Sequence, residues 1–250
     1  MEEHLIIYID FLGFAEATVE WDDKKAKQII KLLHDLANLR SEFKLIKTER
    51  SDGHSIEMRP TVTTFSDHIV MSYPIEKLQI LGGENFIEIT LFMIQRLVGA
   101  LAAAAMNLGL LIRGGATIGQ LYHADAVVMG KAMVEAYKLE SKVALYPRIA
   151  FSRKLYSRVL TESRSLILSK DNDGITHLNY FSSMVLAGGG EPGEGFPLRL
   201  KIWLDNANDV IKSNIENFEK NEDWNKLSKW VWFNKHFEPI AKIHASNFKL

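Results

Sequence analysis

Residues 6 to 14 read IIYIDFLGF, and this short stretch places an aspartate at the end of an apolar run. The residues before it, Ile6 to Ile9, are apolar and mostly β-branched, which predicts a buried strand. A buried strand gains no stability from a carboxylate, so Asp10 needs another explanation. Gly13 follows within three residues and marks a turn. The stretch therefore predicts a strand whose end carries a chemically active carboxylate.

A second aspartate lies at the centre of TVTTFSDHIVMS, residues 61 to 72. Met58 to Phe65 and Ile69 to Tyr73 are apolar, β-branched runs with a short polar break between them, which predicts a hairpin. In a βαββαβ unit the first strand lies beside the following hairpin, so we expect Asp10 and Asp67 to lie close together. Each also has an ordinary interpretation, because aspartate is common at helix N-caps and in turns.

The rest of the chain alternates strands and helices in the order β-α-β-β-α-β-α-β, which predicts an α+β fold. We expect a ferredoxin-like βαββαβ domain over residues 1 to 185, with an antiparallel-rich sheet, and a Gly/Pro loop with a helical extension over residues 186 to 250. The turn signal Asp52-Gly53 lies early in the domain. The expected helices cover about 15–43, 85–108, 131–143, 152–160, 198–218 and 223–244; the expected strands cover 4–11, 58–65, 69–73, 110–121, 148–151, 165–169 and 175–181, with a loop over 74–83.

Composition excludes several classes of protein. The net charge of −1 gives no general attraction to nucleic acid or acidic membranes, and the absence of cysteine excludes a thiolate nucleophile and a Cys-based zinc site. The eight histidines show no paired spacing, so no zinc site is expected. Polar residues interrupt Leu91 to Ile112, which predicts a core helix and a strand rather than a membrane span. No signal peptide is expected, and the composition fits the cytoplasm.

Two carboxylates at neighbouring strand ends can hold two Mg²⁺ or Mn²⁺ ions, because these cations prefer oxygen ligands. Two such ions can activate an attacking oxygen and neutralise a phosphate leaving group. The turn after Asp10 offers backbone N–H groups to a phosphate, and Gly13 lets the backbone approach it closely. The sequence therefore indicates metal-assisted phosphate chemistry at Asp10 and Asp67.

Three separated motifs, YIDFLGF, FSDHIVMS and IRGGATIGQLYHADAVVMGKAMVEAYKLES, resemble the class III nucleotide cyclase catalytic domain. They resemble more closely the pyrimidine (cytidylate or uridylate) cyclases of bacterial antiphage defence. The resemblance covers residues 4 to 181 in the same motif order, and KLSKWVWFNKHFEPIA is similar to the C-terminal region of that subgroup. It implies two Mg²⁺ or Mn²⁺ ions per site, held by Asp10, Asp67 and the backbone carbonyl of Phe11, and a phosphate-binding turn at Leu12, Gly13 and Phe14.

The resemblance also implies a head-to-tail homodimer, in which each site takes metal ligands from one subunit and transition-state groups from the other. The family's asparagine and arginine at the latter positions are replaced here by Val134 and Lys138. Lys138 keeps a positive charge without the bidentate fork of arginine, and Tyr137 beside it offers a hydroxyl. One of these two is the candidate catalytic group, although Lys138 could equally be a solvated helix residue. Arg113 could face a triphosphate or form a structural ion pair.

The positions that read the base in purine cyclases are Thr63 and Val127 in this chain. A small, mostly apolar wall with one hydroxyl suits a pyrimidine better than a purine. The resemblance therefore implies that UTP, ahead of CTP, is converted to a 3′,5′-cyclic monophosphate and pyrophosphate, as a signal of phage infection. Two alternatives remain open: a purine cyclase with unusual base readers, and a catalytically silent cyclase-like module that binds a nucleotide or a partner.

Overall fold

The computed structural model describes residues 1–19, 23, 26–32, 34, 46–49, 55–58 and 60–250. Much of the helix expected over residues 15 to 43, and the turn expected at Asp52-Gly53, lie outside the described residues. The strands are β1 (Glu2–Leu12), β2 (Ile46–Glu49), β3 (Ser55–Met58), β4 (Thr61–Phe65), β5 (His68–Pro74), β6 (Leu111–Ala124), β7 (Val127–Met129), β8 (Ile149–Phe151), β9 (Leu168–Lys170) and β10 (Thr176–Leu178). The helices are α1 (Phe14–Val19), α2 (Ile75–Gly82), α3 (Phe86–Met106), α4 (Lys131–Lys138), α5 (Arg153–Arg158), α6 (Thr161–Ile167), α7 (Phe181–Gly188), α8 (Phe196–Lys220) and α9 (Trp224–Phe248).

The main sheet has the strand order β4-β5-β1-β6-β8-β10-β9, with β7 paired to β6. Strand β1 is antiparallel to both of its neighbours, β5 and β6. The segment β6-β1-β5-β4 has the order and direction of a βαββαβ ferredoxin-like unit. The expected fold class is therefore confirmed, with helices α8 and α9 added after the sheet.

The middle of strand β1, Leu5 to Ile9, is apolar because both faces of the strand are covered there. Leu5, Ile7 and Ile9 belong to the large core that also contains α3, whereas Ile6 and Tyr8 pack with residues of α4 on the other face. A strand buried on both faces reads as a continuous apolar run rather than an alternating one. The burial of both faces therefore accounts for the continuous apolar run from Leu5 to Ile9.

Helix α3 packs in the core and is followed by β6, as the sequence predicted for Leu91 to Ile112. Among the described residues, Gly83–Met106 is the one helix long and apolar enough to cross a membrane, and 61% of its most apolar window is buried inside the protein. The burial accounts for its composition, because a helix in the centre of a core is apolar on most sides. Gly109, with φ of +70°, lies in the turn between α3 and β6, next to the end expected for the helix at residue 108.

Two expected elements were wrong. The loop expected over residues 74 to 83 is helix α2, which begins after Pro74 and buries Ile75 and Leu78. Proline just before a helix suits its start, because its fixed φ fits there and its missing N–H would have no helical partner. The strand expected over Ser165 to Ser169 is the end of α6 followed by β9. The short strand β7 and helix α7 were not predicted at all, since both are too short to show a clear period.

Helices α8 and α9 form an antiparallel pair close to the predicted bounds. Their buried residues join the core of the sheet domain rather than forming a separate one; they include Leu200, Trp203, Phe233 and Phe237. The expected boundary at residue 185 falls within α7, which contacts α3, α8 and α9. The C-terminal helices are therefore fixed against the domain that carries Asp10 and Asp67.

Candidate active site

The end of β1 meets the turn between β4 and β5. Asp10 is the register partner of His68 on β5 and of Arg113 on β6. The N–H of Phe11 donates to the backbone oxygen of Asp67 at 3.1 Å. Asp10, Asp67 and His68 each offer a ligand atom, and these atoms lie within 4.8 Å of one another. The structure thus brings together the two aspartates that the sequence predicted to be neighbours.

Arg113 and His68 contact these carboxylates. Nε of Arg113 donates to Oδ2 of Asp10 at 2.8 Å, and its Nη2 lies 2.7 Å from Oε1 of Glu140. His68 lies between the aspartates, with Nε2 3.5 Å from Oδ1 of Asp10 and Nδ1 3.0 Å from Oδ1 of Asp67. Of the two interpretations open for Arg113, the structure shows the ion pair.

Glu140 is a third carboxylate that the sequence analysis did not single out. It lies in the π-helical turn Leu139–Val143 that extends α4, and its side chain is almost fully buried. Burial raises the pKa of Glu140 to about 7; Arg113 opposes this shift, and the facing carboxylates of Asp10 and Asp67 add to it. The only sequence signal for it was its place in the motif YKLES, near the end of the expected helix over residues 131 to 143.

This donor set fits a divalent cation. Three carboxylates converge, and Oε1 of Glu140 has no well-aligned hydrogen bond despite its burial. A buried acidic group keeps a raised pKa where negative charge is incompletely compensated. Hard cations such as Mg²⁺ and Mn²⁺ take carboxylate oxygens as ligands, so a bound cation would relieve this repulsion.

The carboxylates lie in a cavity of about 590 Å³. The turn after β1 forms part of its wall, and Gly13 there has φ of +90°, a conformation that other residues adopt only with strain. Eight of the residues singled out in the sequence line this cavity: Asp10, Phe11, Leu12, Gly13, Phe14, Asp67, Arg113 and Tyr137.

The C-terminal helices supply another part of the cavity wall. Helix α8 contributes Asn214, Asn217 and Phe218 to the wall. The first two turns of α9 contribute Lys226, Lys229 and Trp230. Sequence reasoning gave these residues no role, since nothing in their spacing connects them to Asp10. Two lysines in the wall of a cavity that also holds carboxylates could neutralise a polyanionic ligand.

Four of the residues singled out do not line this cavity: Thr63, Val127, Val134 and Lys138. Thr63 donates its hydroxyl hydrogen to the backbone oxygen of Asp125 at 3.0 Å and lies 3.0 Å from Nε2 of His123. This places Thr63 beside the β6–β7 turn, close to the strand that carries Val127. Val127 is exposed on β7, and Lys138 is exposed at the end of α4.

No protein-family model and no curated protein matches this sequence. Two solved structures, each described as a bacterial light-regulated adenylyl cyclase, have a backbone fold similar to that of this chain. One has a TM-score of 0.43 and 14% identity over 82% of this chain and 57% of its own. The other has a TM-score of 0.40 and 12% identity over 82% of this chain and 58% of its own. This chain thus spans less than two thirds of either protein, and so distant a likeness identifies no substrate.

Proposed function

We propose that this protein is a nucleotide cyclase that converts a nucleoside triphosphate into its 3′,5′-cyclic monophosphate and pyrophosphate. The observation that carries the proposal is that ligand atoms of Asp10 and Asp67 lie within 4.8 Å of each other, in a cavity that Glu140 and the glycine turn also line. The three sequence motifs that resemble class III cyclases contain these same residues. The residues that the fold brings into one cavity are therefore also residues of the motifs that carry the resemblance.

Different residues of the chain would bind the metal ions and the phosphates of the substrate. Asp10 and Asp67, with the carbonyl of Phe11, would hold Mg²⁺ or Mn²⁺; when bound, two such ions acidify the ribose 3′-hydroxyl and neutralise the phosphates. The backbone of Leu12, Gly13 and Phe14 would contact the β- and γ-phosphates from the turn. The 3′-hydroxyl gives its proton to water, and its oxygen forms a bond to the α-phosphorus as the bond to the pyrophosphate oxygen breaks; electrostatic positioning supplies most of the acceleration.

Arg113 and the C-terminal helices would complete the charge balance. Arg113 orients Asp10 by holding one carboxylate oxygen, which leaves the other side of the group toward Asp67 and His68. Lys226 and Lys229 line the cavity and can approach phosphate oxygens. The helical extension then acts as part of the substrate site rather than as a separate module.

We further propose a homodimer with composite sites. Large apolar side chains are exposed around the β6–β7 hairpin, α4 and the β4–β5 turn, in the region that carries Tyr137 and Lys138; they are Phe65, Tyr122, Val127, Met129, Val134 and Tyr137. Ring contacts of Tyr8 with Phe65 and with Tyr137 connect the parts of this surface. Burial of such a surface against a second copy would bring Lys138 of one subunit to the carboxylates of the other, whereas Tyr137 lines the cavity of its own subunit.

The proposed substrate is a pyrimidine nucleotide, with UTP ahead of CTP, and the proposed role is a cytoplasmic antiphage signal. Thr63 and Val127 support the base preference, because neither offers the charged or amide groups with which purine cyclases read a base.

The deciding experiment incubates the purified protein with each of ATP, GTP, CTP and UTP in the presence of Mn²⁺, and measures cyclic products by mass spectrometry. We expect one pyrimidine cyclic monophosphate to dominate, with pyrophosphate in equal amount. A dominant purine product would overturn the base preference while keeping the reaction. If no nucleotide is turned over, but one binds, the chain is a silent cyclase-like module.

A further inference from the structure

A second cluster of ligating side chains lies at the far edge of the sheet, away from Asp10 and Asp67. Asp171 directly follows β9, His177 lies on β10, and His236 lies on α9. Each offers one ligand atom, and the three atoms lie within 4.8 Å of one another. His177 is only 1% exposed, whereas the side chains of Asp171 and His236 are 10% and 22% exposed. The cluster is thus deep on one side and open to solvent on the other.

The hydrogen bonds of the two histidines fix which ring nitrogen is available. Nδ1 of His236 lies 2.8 Å from the backbone oxygen of Trp232, and Nδ1 of His177 lies 3.2 Å from that of Leu178. A carbonyl oxygen can only accept, so both Nδ1 atoms carry the hydrogen. A neutral imidazole with Nδ1 protonated presents a lone pair at Nε2. Both rings therefore offer Nε2 as an acceptor or a metal ligand.

These Nε2 atoms lack the partners that a lone pair requires. Nε2 of His177 is buried and has no hydrogen-bond partner among the described residues. Nε2 of His236 lies 3.3 Å from Oδ1 of Asp171. A lone pair that faces a carboxylate oxygen is repelled unless a proton or another cation lies between them. A cation at this point would satisfy both nitrogen atoms and the carboxylate together.

The surroundings of Asp171 orient it for this role. Its Oδ2 accepts from Nη1 of Arg148 at 2.7 Å and from Nε1 of Trp232 at 2.8 Å, which leaves Oδ1 toward His236. Arg148 also binds Asp173, at 2.5 Å between Nη2 and Oδ2. Two carboxylates share one guanidinium, so the cluster retains negative charge. Ligands of metal sites are commonly held in this way, with carboxylates and histidines fixed by outer hydrogen bonds.

We propose that Nε2 of His177, Nε2 of His236 and Oδ1 of Asp171 bind a divalent transition metal of the Zn²⁺ type, with water as the fourth ligand on the open side. Two imidazoles and a carboxylate form a common ligand set for Zn²⁺, whereas Mg²⁺ and Ca²⁺ prefer oxygen alone. The ion would join helix α9 to the β9–β10 edge of the sheet. This goes against the expectation from histidine spacing, because the two histidines come from elements far apart in sequence.

The test uses the full chain, dialysed against a chelator and then titrated with Zn²⁺ or Co²⁺ in excess Mg²⁺. We expect one Zn²⁺ per chain, a visible absorption band from Co²⁺ in a four-coordinate nitrogen and oxygen site, and a higher Tm with Zn²⁺. His236→Gln should lose all three signals. Asp10→Asn is the matched control, because it alters the other acidic cluster, and it should keep them.

Two results would overturn the proposal: a full chain that binds neither Zn²⁺ nor Co²⁺, or a His236→Gln variant that binds as tightly as the unaltered chain. Circular dichroism of the metal-free variant shows whether it is folded. If it is not, His236→Asp supplies a ligand oxygen and should regain Zn²⁺ binding at the same site. A folded His236→Asp that binds no Zn²⁺, with binding retained in Asp10→Asn, would in that case contradict the proposal. The outcome is independent of whether the protein cyclises nucleotides.

Discussion

At the scale of single residues, Asp67 offers the sharpest test of the proposed chemistry. Its side chain is partly exposed and contacts His68, so its loss should leave the fold intact. Asp67→Ala removes a proposed cation ligand and should reduce turnover about 10³-fold, since metal ligation supplies several kcal/mol of transition-state stabilisation. Steady-state product formation measures it. Asp209→Asn, an exposed change on α8, is the control and should have wild-type activity. Intact turnover in Asp67→Ala would exclude this site.

His4 makes stability depend on pH. It is buried, with Nδ1 3.2 Å from Oγ of Ser72, which in turn lies 2.8 Å from Nδ1 of His123. Burial lowers the pKa of His4 below its ordinary value of 6.5, although Glu2 opposes the shift. The unfolded chain therefore binds more protons, so stability is complete above about pH 6.5 and falls as the pH drops from there through the folded pKa.

His4→Asn keeps a polar group that can reach Ser72 but cannot titrate. The urea midpoint of this variant should fall less between pH 7.5 and 5.5 than that of the unaltered chain. Burial also lowers the pKa of His177 and of His244, so some loss at acid pH should remain in both proteins. Equal losses in the two proteins would show that His4 does not carry this dependence.

At the scale of secondary-structure elements, the approach of α4 to β6 depends on Gly115. A Cβ at this position would lie 2.2 Å from the backbone oxygen of Ala136 and 2.5 Å from Cβ of Leu139. Because the first of these atoms belongs to the backbone, α4 itself would have to move, and Glu140 with it. Gly115→Ala should lower the free energy of unfolding by about 1–3 kcal/mol, as overpacking does. Urea unfolding measures this change.

Gly119 provides the matched control on the same strand. A Cβ there would meet its nearest atom, Cβ of Ala132, at an ordinary 3.5 Å. Gly119→Ala should therefore alter stability by no more than about 0.5 kcal/mol. Equal effects from the two substitutions would contradict the close packing inferred at Gly115.

The lysines of α9 can be tested in the same way. If Lys226 and Lys229 contact the triphosphate, replacing both with glutamine should raise KM about tenfold or more, because a charge-assisted hydrogen bond contributes about 1.5–3 kcal/mol. The value of kcat should change less, since the groups of β1 and the β4–β5 turn remain. Lys242→Gln, an exposed change on the same helix, should leave KM unaltered. An unchanged KM in the double variant would separate the C-terminal helices from substrate binding.

Sequence reasoning succeeded where a pattern was long or local. The run before Asp10, the hairpin around Asp67 and the long helix α3 all follow from residue types and short spacing. It missed α2, which buries few residues in a single short helix, and it missed the role of α8 and α9 in the cavity wall. The contribution of α8 and α9 to the cavity wall depends on packing between segments that are distant in sequence. The periodicity of a sequence carries no information about such packing.

At the scale of the whole molecule, the proposed homodimer makes the strongest prediction. Val134 is 52% exposed on α4, so the monomer should tolerate a charge there, whereas a dimer interface would have to bury it. Val134→Glu should shift the protein from dimer to monomer in size-exclusion chromatography with light scattering, and should abolish cyclase activity. Leu198→Glu, an exposed change on α8, should alter neither.

Composite sites can be tested by mixing two inactive variants. Asp67→Ala lacks a proposed cation ligand, and Lys138→Ala lacks a proposed transition-state group, so each homodimer should be inactive. In an equal mixture, about half of the dimers contain both chains, and each of these has one complete site, so about a quarter of the wild-type activity should return. Recovery after mixing, measured as cyclic product, requires that the two residues act in one site from different subunits. If the mixture stays inactive although exchange of subunits is demonstrated, Asp67 and Lys138 do not share a site across an interface.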